Sequence, residues 1–267
     1  MLKNLDPLNP FIHITIEQRI LTIKIDRPEQ KNALNGEMYT DIARILDEAD
    51  QSHQVNVVIL QGNEQDFTAG NDMKYFMSAA QKYVGLAADA TPPFVFLKAI
   101  ARFSKPIIAV VRGCTIGVGV TLLFHCDMVY AHPDTEFQIP FVSLGLSVEG
   151  GTSLLFTELA GYHMAAELLL TGRNFSAEEA LKCRIINQIC EQPEQLALQR
   201  AQQMSQLPMT TLKIIKKQIR PEQDQIQNCI VQEAEVVAER LTSPEMIEAV
   251  MAFLQKRKPD FNQFLQS

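Results

Sequence analysis

The sequence predicts an α/β protein built on a parallel sheet and followed by a helical C-terminal part. Short, uniformly apolar segments of strand length alternate with helical segments, which is typical of parallel strands covered on both faces. Beyond Pro193 only helical segments follow. The chain has 267 residues, of which 46% are hydrophobic and 21% charged, and this composition supports a sizeable core. We therefore divide the chain into a core at residues 1–200 and a helical region at residues 201–267.

The first elements are predicted to be a hairpin, a helix and a buried strand. Residues 11–16 and 19–25 alternate apolar and polar side chains around a short turn, which indicates a β-hairpin. Asn35 is placed to cap a helix. The apolar residues of this helix recur with helical spacing, at Met38, Ile42, Ile45, Leu46 and Ala49. A buried strand at 55–60 follows.

The middle of the chain continues the alternation of strands and helices. After a loop at 69–72, helical sequence extends to residue 103, and an all-apolar strand is predicted at 106–111. A glycine-bearing turn at 113–119 leads into an apolar helix at 118–124, which a short strand at Met128–Ala131 follows. Ser176 and Glu179 have the spacing of a capping box that opens a helix through residue 183. We expect a last strand at 185–189 and three or four helices after it.

Composition and charge exclude several classes of function. The formal net charge of -7 lacks the lysine and arginine surplus that a nucleic-acid partner requires. The five cysteines include no Cys-x-x-Cys pair and the five histidines have no metal-ligand spacing, so we expect reduced thiols and no metal. No apolar signal segment or membrane-length run is present, which predicts a cytoplasmic protein without a membrane partner. Nucleophile-elbow, Walker and dinucleotide-binding motifs are absent.

Two glycine-bearing segments could together bind an oxygen atom that gains negative charge. In the first, the small residues Ala69 and Gly70 let the backbone approach a ligand and leave the amide of Asn71 free to donate. In the second, the turn at 113–119 feeds a helix, whose first N–H groups suit a developing negative charge. Two such amides bracketing one oxygen would form an oxyanion hole. Taken singly, such turns are usually only turns.

A third segment offers a candidate acid or base. Glu149 lies between an apolar stretch at 141–148 and two glycines, and apolar surroundings raise the pKa of a carboxyl toward neutrality. The pattern alone favours a structural explanation instead. Glu149 would then complement the dipole of the following helix, or remain solvated while Thr152 caps that helix.

Several segments carry a family resemblance when they are taken in order. They are Asp26-Arg27-Pro28-Glu29, Asn32-Ala33-Leu34-Asn35, Phe67-Thr68-Ala69-Gly70-Asn71-Asp72, the run at 105–113, Cys126-Asp127 with Tyr130-Ala131, and the run at 252–259. Together they resemble the crotonase (enoyl-CoA hydratase/isomerase) superfamily from about residue 12 to 261. The resemblance implies a ClpP-like spiral of ββα turns with a C-terminal trimerisation region, assembled as a homotrimer or a dimer of trimers. It also implies an acyl-CoA thioester as substrate and no separate cofactor, because coenzyme A is part of the substrate.

The resemblance also implies site residues. Its oxyanion-hole donors fall on the amides of Asn71 and Val118, and the backbone near Ala69 and Gly70 contacts the pantetheine arm. Its contacts to the CoA moiety fall on Lys74, Phe253 and Lys256, and the last two are expected to reach the ligand of a neighbouring subunit.

Departures from the superfamily pattern bear on the reaction. The two glutamates of enoyl-CoA hydratases fall here on Thr121 and Phe141, neither of which transfers protons at neutral pH. Glu149 instead matches the single catalytic glutamate of the peroxisomal-type 3,2-enoyl-CoA isomerases. Those isomerases also carry an asparagine in a Gly-Asn-Asp motif, as this chain does at Asn71. The resemblance therefore implies an isomerase of 3-enoyl-CoA. Another crotonase-type reaction, such as hydration or acyl-CoA hydrolysis, and a non-catalytic acyl-CoA-binding or RNA-associated homologue stay open as alternatives.

The segment at 75–103 is either the wall of an acyl-tail pocket or ordinary core. Its large apolar residues are Phe76, Met77, Tyr83, Phe94, Phe96 and Leu97.

Overall fold

The computed structural model describes residues 5–82 and 85–264, and the strands of these residues form two sheets. The larger sheet consists of β1 (Ile12–Glu17), β2 (Ile20–Ile25), β3 (Val57–Gln61), β4 (Ile107–Val111), β6 (Met128–Ala131) and β9 (Gln188–Ile189). They are adjacent in this order, with β1 antiparallel to β2 and every later pair parallel. The smaller sheet consists of β5 (Cys114–Ile116), β7 (Glu136–Gln138) and β8 (Asn174–Ser176). The α/β class with a parallel core is confirmed.

The described residues also form α-helices that alternate with the strands and then dominate the C-terminal part. They are α1 (Gly36–Gln51), α2 (Met73–Lys82), α3 (Pro92–Arg102), α4 (Val118–Thr121), α5 (Thr152–Ala160), α6 (Tyr162–Thr171), α7 (Ala177–Lys182), α8 (Pro193–Ser205), α9 (Met209–Ile219), α10 (Gln223–Arg240) and α11 (Pro244–Leu254). Asn35 caps α1 as predicted, since its side chain accepts from the N–H of Met38. The predicted capping box of Ser176 and Glu179 opens α7.

Successive turns of the chain repeat one pattern. Each of β3, β4 and β6 in the larger sheet is followed by a short extended segment in the second layer. These segments are Thr68, β5 and β7, and they lie side by side because Thr68 pairs with Thr115 and Thr115 pairs with Phe137. This repetition of strand, strand and helical connection is the ββα spiral that the family resemblance implies.

Three sequence predictions need correction. The turn at 113–119 contains strand β5, and the helix predicted at 118–124 is α-helical only over Val118–Thr121, after which Leu122–His125 is a 3₁₀-helix. The last strand pairs only over Gln188–Ile189. Strands β7 and β8 were not predicted, because three residues are too few to show a period of two.

The parallel strands are covered on both faces. All five residues of β4 are buried, as expected for a sheet with helices on both sides. One face carries α1 and α3, and the other carries Ala197 and Ala201 of α8. Helix α8 crosses the boundary predicted at residue 200, and the assignment of 201–267 to oligomerisation stays a prediction. Among residues 5–82 and 85–264, no helix has the length and apolar character needed to cross a membrane.

Candidate active site

The two glycine-bearing segments lie against each other because a strand-like pairing joins them. The N–H of Thr68 donates to the carbonyl of Cys114 at 2.9 Å, and the N–H of Ile116 donates to the carbonyl of Thr68 at 3.0 Å. Gly70 follows at φ +88°, and a Cβ there would lie 2.8 Å from the carbonyl oxygen of Ile116. Only glycine therefore allows both this backbone conformation and this close approach.

Each segment presents one amide without a protein acceptor. Within the described part of the chain, the N–H groups of Asn71 and Val118 donate no hydrogen bond to another protein atom. Val118 is the first residue of α4 and follows Gly117 at φ 57°, so its N–H has no partner inside the helix. Asn71 is further held by the Tyr39 hydroxyl, which donates to Asn71 Oδ1 at 2.8 Å. Both amides border the same cavity and are available to an oxygen of a ligand.

That cavity has a volume of about 630 Å³ and a mainly apolar wall. Of the residues predicted to bind substrate, Ala69, Gly70, Lys74 and Phe253 border it, as does Glu149. Phe253 lies at the cavity of its own chain. That it reaches the ligand of a neighbouring subunit stays a prediction. Lys256 lies outside the cavity wall. The roles of all these residues in substrate binding stay predictions.

The predicted tail-pocket residues divide between the cavity and the core. Met77 and Phe94 border the cavity. Phe96 and Leu97 are fully buried and belong to the hydrophobic core. Tyr83 and the side chain of Phe76 fall outside the described residues.

Glu149 has the environment of a proton carrier. Only 6% of its surface is exposed, and the Thr121 hydroxyl donates to its carboxylate. Burial raises the pKa of Glu149 to about 8 from an ordinary value of 4.5. The hydrogen bond from Thr121 opposes this rise, and the negative charge of Glu233 adds to it. The structural explanation with a solvated Glu149 is therefore excluded, because the carboxyl group is buried at the cavity wall.

A turn of two glycines carries Glu149 toward the cavity. Gly150 and Gly151 have φ of 73° and 76°, a left-handed conformation that other residues rarely adopt. The ring of His125 donates through Nε2 to the carbonyl of Gly150 at 2.7 Å, and burial lowers the pKa of His125 to about 3, so the ring is neutral. Glu233 accepts from the N–H of Gly151 at 2.6 Å. Hydrogen bonds with His125 and Glu233 thus fix the backbone of both glycines.

A second carboxylate at the cavity wall is already paired. Asp72 accepts from the guanidinium of Arg27 at 2.7 Å and from the backbone N–H groups of Lys74 and Tyr75. Burial by itself would raise the pKa of Asp72, but these hydrogen bonds and the arginine charge outweigh it and lower the pKa below its usual range. Asp72 therefore stays ionised at neutral pH and stabilises the loop that carries Asn71.

Sequence reasoning missed the residues that hold the site in place. Thr121 was predicted only as the replacement of a hydratase glutamate, and its hydrogen bond to Glu149 was not expected. Tyr39, His125 and Glu233 contact the site from elements distant in sequence. In a single sequence nothing in the residues around these three side chains distinguishes them from other residues of helical segments, so no local signal identifies them.

The sequence is similar to that of known proteins along nearly its whole length. The family described as enoyl-CoA hydratase/isomerase matches residues 15–264. Human enoyl-CoA delta isomerase 2 is 32% identical over 249 residues, which are 91% of this chain and 63% of the human protein. The 2,3-dehydroadipyl-CoA hydratase of Escherichia coli K12 is 28% identical over 251 residues, which are 93% of this chain and 97% of that protein.

Solved structures share the fold. A crystal structure of an enoyl-CoA hydratase/isomerase from Acinetobacter baumannii has a TM-score of 0.89 and 51% identity, and covers 92% of this chain and 99% of that chain. The structure of Pseudomonas aeruginosa OdaA has a TM-score of 0.87 and 34% identity, with coverage of 92% and 99%. These similarities confirm the predicted crotonase fold, but hydratase and isomerase names occur side by side among the relatives. The chain belongs to the enoyl-CoA hydratase/isomerase family.

Proposed function

We propose that this protein is an enoyl-CoA isomerase that converts 3-enoyl-CoA to trans-2-enoyl-CoA with Glu149 as its single acid and base. One observation carries the proposal. Among the described residues of the cavity wall, the carboxyl groups are those of Glu149 and Asp72, and Asp72 is held ionised by Arg27. Glu149 alone has a pKa near neutrality, which suits a group that takes a proton and returns it.

The reaction begins with the thioester carbonyl oxygen on the N–H groups of Asn71 and Val118. The Glu149 carboxylate removes a proton from the carbon next to the thioester, and the electrons of that C–H bond form a dienolate. The two N–H groups stabilise the dienolate oxygen, which gains negative charge only along the reaction path. Protonated Glu149 then returns the proton two carbons further along, so the double bond moves and no atom is gained or lost. No cofactor enters this scheme.

The surroundings of Glu149 favour isomerisation over hydration. Addition of water requires a second group that can place and split it, and the corresponding positions hold Thr121 and Phe141. The Thr121 hydroxyl donates to Glu149, and the buried ring of Phe141 lies on the cavity wall. An apolar wall beside the dienolate protects it from side reactions with water. The human relative at 32% identity is named enoyl-CoA delta isomerase 2, which agrees with this choice.

The proposal extends to substrate binding and assembly. Lys74 is exposed at the cavity and suits a phosphate of the CoA moiety, while the backbone of Ala69 and Gly70 suits the pantetheine arm. We include Lys256 as a further phosphate contact, together with the homotrimer or dimer of trimers that the family resemblance implies.

The direct test follows the absorbance of the conjugated thioester. The purified protein is incubated with a 3-enoyl-CoA and, separately, with a trans-2-enoyl-CoA. Isomerase activity without hydration produces conjugation from the first substrate and no loss of it from the second. Glu149→Gln is expected to lower turnover by roughly 100- to 10,000-fold, the usual contribution of a general acid–base group.

Other outcomes separate the alternatives. Loss of conjugation from the trans-2-enoyl-CoA indicates a hydratase. Release of free CoA indicates a hydrolase, and binding without any reaction indicates an acyl-CoA-binding protein. A near-wild-type rate of Glu149→Gln would exclude Glu149 as the base.

A further inference from the structure

A second buried carboxylate lies directly behind the turn that carries Glu149. Glu233 belongs to α10, 82 positions from Gly151 in sequence, and only 6% of its surface is exposed. Its Oε2 accepts from the N–H of Gly151 at 2.6 Å. Its Oε1 accepts from the N–H of Ser153 at 2.9 Å and from the Ser153 hydroxyl at 2.6 Å. Both carboxylate oxygens are thus engaged by the segment that follows the base.

This segment has no cap of its own. Gly151 is the N-cap residue of α5 and has no side chain, so the first N–H groups of the helix need an acceptor from elsewhere. Both Gly151 and Glu233 are buried, where an unpaired polar group is costly. Glu233 supplies the missing cap from a distant helix, and the negative charge also suits the N-terminal end of α5.

The same contact places a negative charge near the base. Glu149 lies two residues before Gly151. Burial is the largest cause of the raised pKa of Glu149, the hydrogen bond from Thr121 opposes the rise, and the negative charge of Glu233 adds to it. The other titratable groups around the turn include Tyr39 of α1, whose own pKa rises with burial and with the charge of Glu149, and the neutral ring of His125. Arg220 donates to Nδ1 of that ring, and the thiol of Cys229 on α10, whose pKa is raised by burial, donates to Glu233 Oε1.

We propose that Glu233 is a positioning residue for the catalytic base: it holds the Glu149-Gly150-Gly151 turn in place from helix α10. This inference rests on the proposed function, because Glu149 must first be the base. Glu233 does not border the cavity, so it acts through the turn and not on the substrate. It also links the C-terminal helices to the chemistry, since a shift of α10 would move the N-terminal end of α5.

The experiment compares Glu233→Gln and Glu233→Asp with wild type and with Glu235→Gln. Glu235 is an exposed residue of the same helix and serves as the matched control. Glutamine keeps one acceptor oxygen, but its amide nitrogen cannot accept from the N–H of Gly151. Aspartate keeps the charge and shortens the reach. Circular dichroism establishes that each variant is folded.

Two quantities are measured for each protein. One is the ionisation midpoint of Glu149, followed by difference infrared spectroscopy of protonated carboxyl groups, with the band assigned by its loss in Glu149→Gln. The other is kcat for 3-enoyl-CoA isomerisation on the alkaline plateau of the pH profile, measured together with KM. The infrared titration needs no activity.

For Glu233→Gln we expect the Glu149 midpoint to fall by about one pH unit, because a like charge is removed. We expect kcat to fall by about tenfold with little change in KM, because the base is displaced and KM reports substrate binding. Glu233→Asp should lower kcat while the midpoint stays near that of wild type, and Glu235→Gln should change neither quantity.

An unchanged midpoint in Glu233→Gln, or a kcat within about twofold of wild type, overturns the inference. If Glu233→Gln does not fold, a wild-type kcat in Glu233→Asp has the same effect. A wild-type protein without isomerase activity would instead refute the proposed function, so the two failures are distinguishable.

Discussion

Replacing Glu149 by glutamine should stabilise the folded protein in a pH-dependent manner while it removes activity. The folded structure keeps the Glu149 carboxyl buried, with a pKa of about 8, whereas the ordinary value is 4.5. Glutamine resembles the protonated carboxyl group in shape and can still accept the hydrogen bond of Thr121 through its amide oxygen. The variant therefore removes the cost of burying a charge and keeps the neighbouring contacts.

The sign and magnitude follow from proton binding. Below about pH 4.5 Glu149 is protonated in both the folded and the unfolded state, so its contribution to stability is fully present. Between about pH 4.5 and 8 the unfolded chain releases the proton and the folded protein retains it, so this contribution is lost at about 1.4 kcal/mol per pH unit. From pH 5 to pH 9 the wild type should lose about 4 kcal/mol that Glu149→Gln does not lose.

The assay is urea unfolding at pH 5, 7 and 9, at one fixed protein concentration because assembly changes apparent stability. Circular dichroism follows the transition, since the chain contains no tryptophan. The difference in free energy of unfolding between Glu149→Gln and wild type should increase steadily with pH. Glu235→Gln, an exposed replacement of the same kind, should show no such trend. A difference that changes by less than about 1 kcal/mol between pH 5 and 9 would refute the argument that Glu149 is buried in a medium that disfavours its charge.

Three further predictions concern the groups around the base. The wild-type kcat/KM should rise with pH through about 8 as Glu149 ionises. Thr121→Val should move the midpoint of this rise upward by about one pH unit, because a hydrogen bond that stabilises the charged carboxylate is lost. An unchanged midpoint would contradict this. Gly70→Ala should lower kcat by about 100-fold, because the added Cβ would press on the carbonyl of Ile116 and misalign an oxyanion donor. Gly85→Ala is the control for the positive φ alone, since Gly85 has φ +85° and open space around it. Equal losses of kcat in the two variants would exclude this steric explanation. Tyr39→Phe should lower kcat by about two- to tenfold, since it removes the hydrogen bond from the Tyr39 hydroxyl to the side chain of Asn71. Steady-state kinetics that show no loss of kcat would count against this role of Tyr39.

Much of the fold could be predicted because its signals are local. The cap of α1 at Asn35 and the capping box at Ser176 are short-range hydrogen-bond patterns, and the structure confirms both. The buried strand β4 was predicted from the all-apolar run at 106–111, and the structure has it at Ile107–Val111. Strands β7 and β8 were missed because three-residue strands exist only through their partners in space.

The sequence was sufficient to nominate the residues proposed to react, but not the residues that support them. Glu149, Asn71 and Val118 could be identified from small-residue turns and from motif likeness, and all three border one cavity. The partners of these residues could not be identified in the same way. Tyr39 and Glu233 lie on helices whose sequence shows only helical periodicity, and their contacts span 32 and 82 residues respectively.

The sequence by itself determined the family and the alternation of strands and helices. It also gives Thr121 and Phe141 at the positions that the family resemblance assigns to the hydratase glutamates. These are properties of residue identity and local spacing. Only the tertiary structure decided that Glu149 is buried and that Asp72 is held ionised by an ion pair with Arg27. The physical reason is that the pKa of a carboxyl group depends on solvent and on charges brought near it by folding, and neither is encoded in its immediate neighbours along the chain.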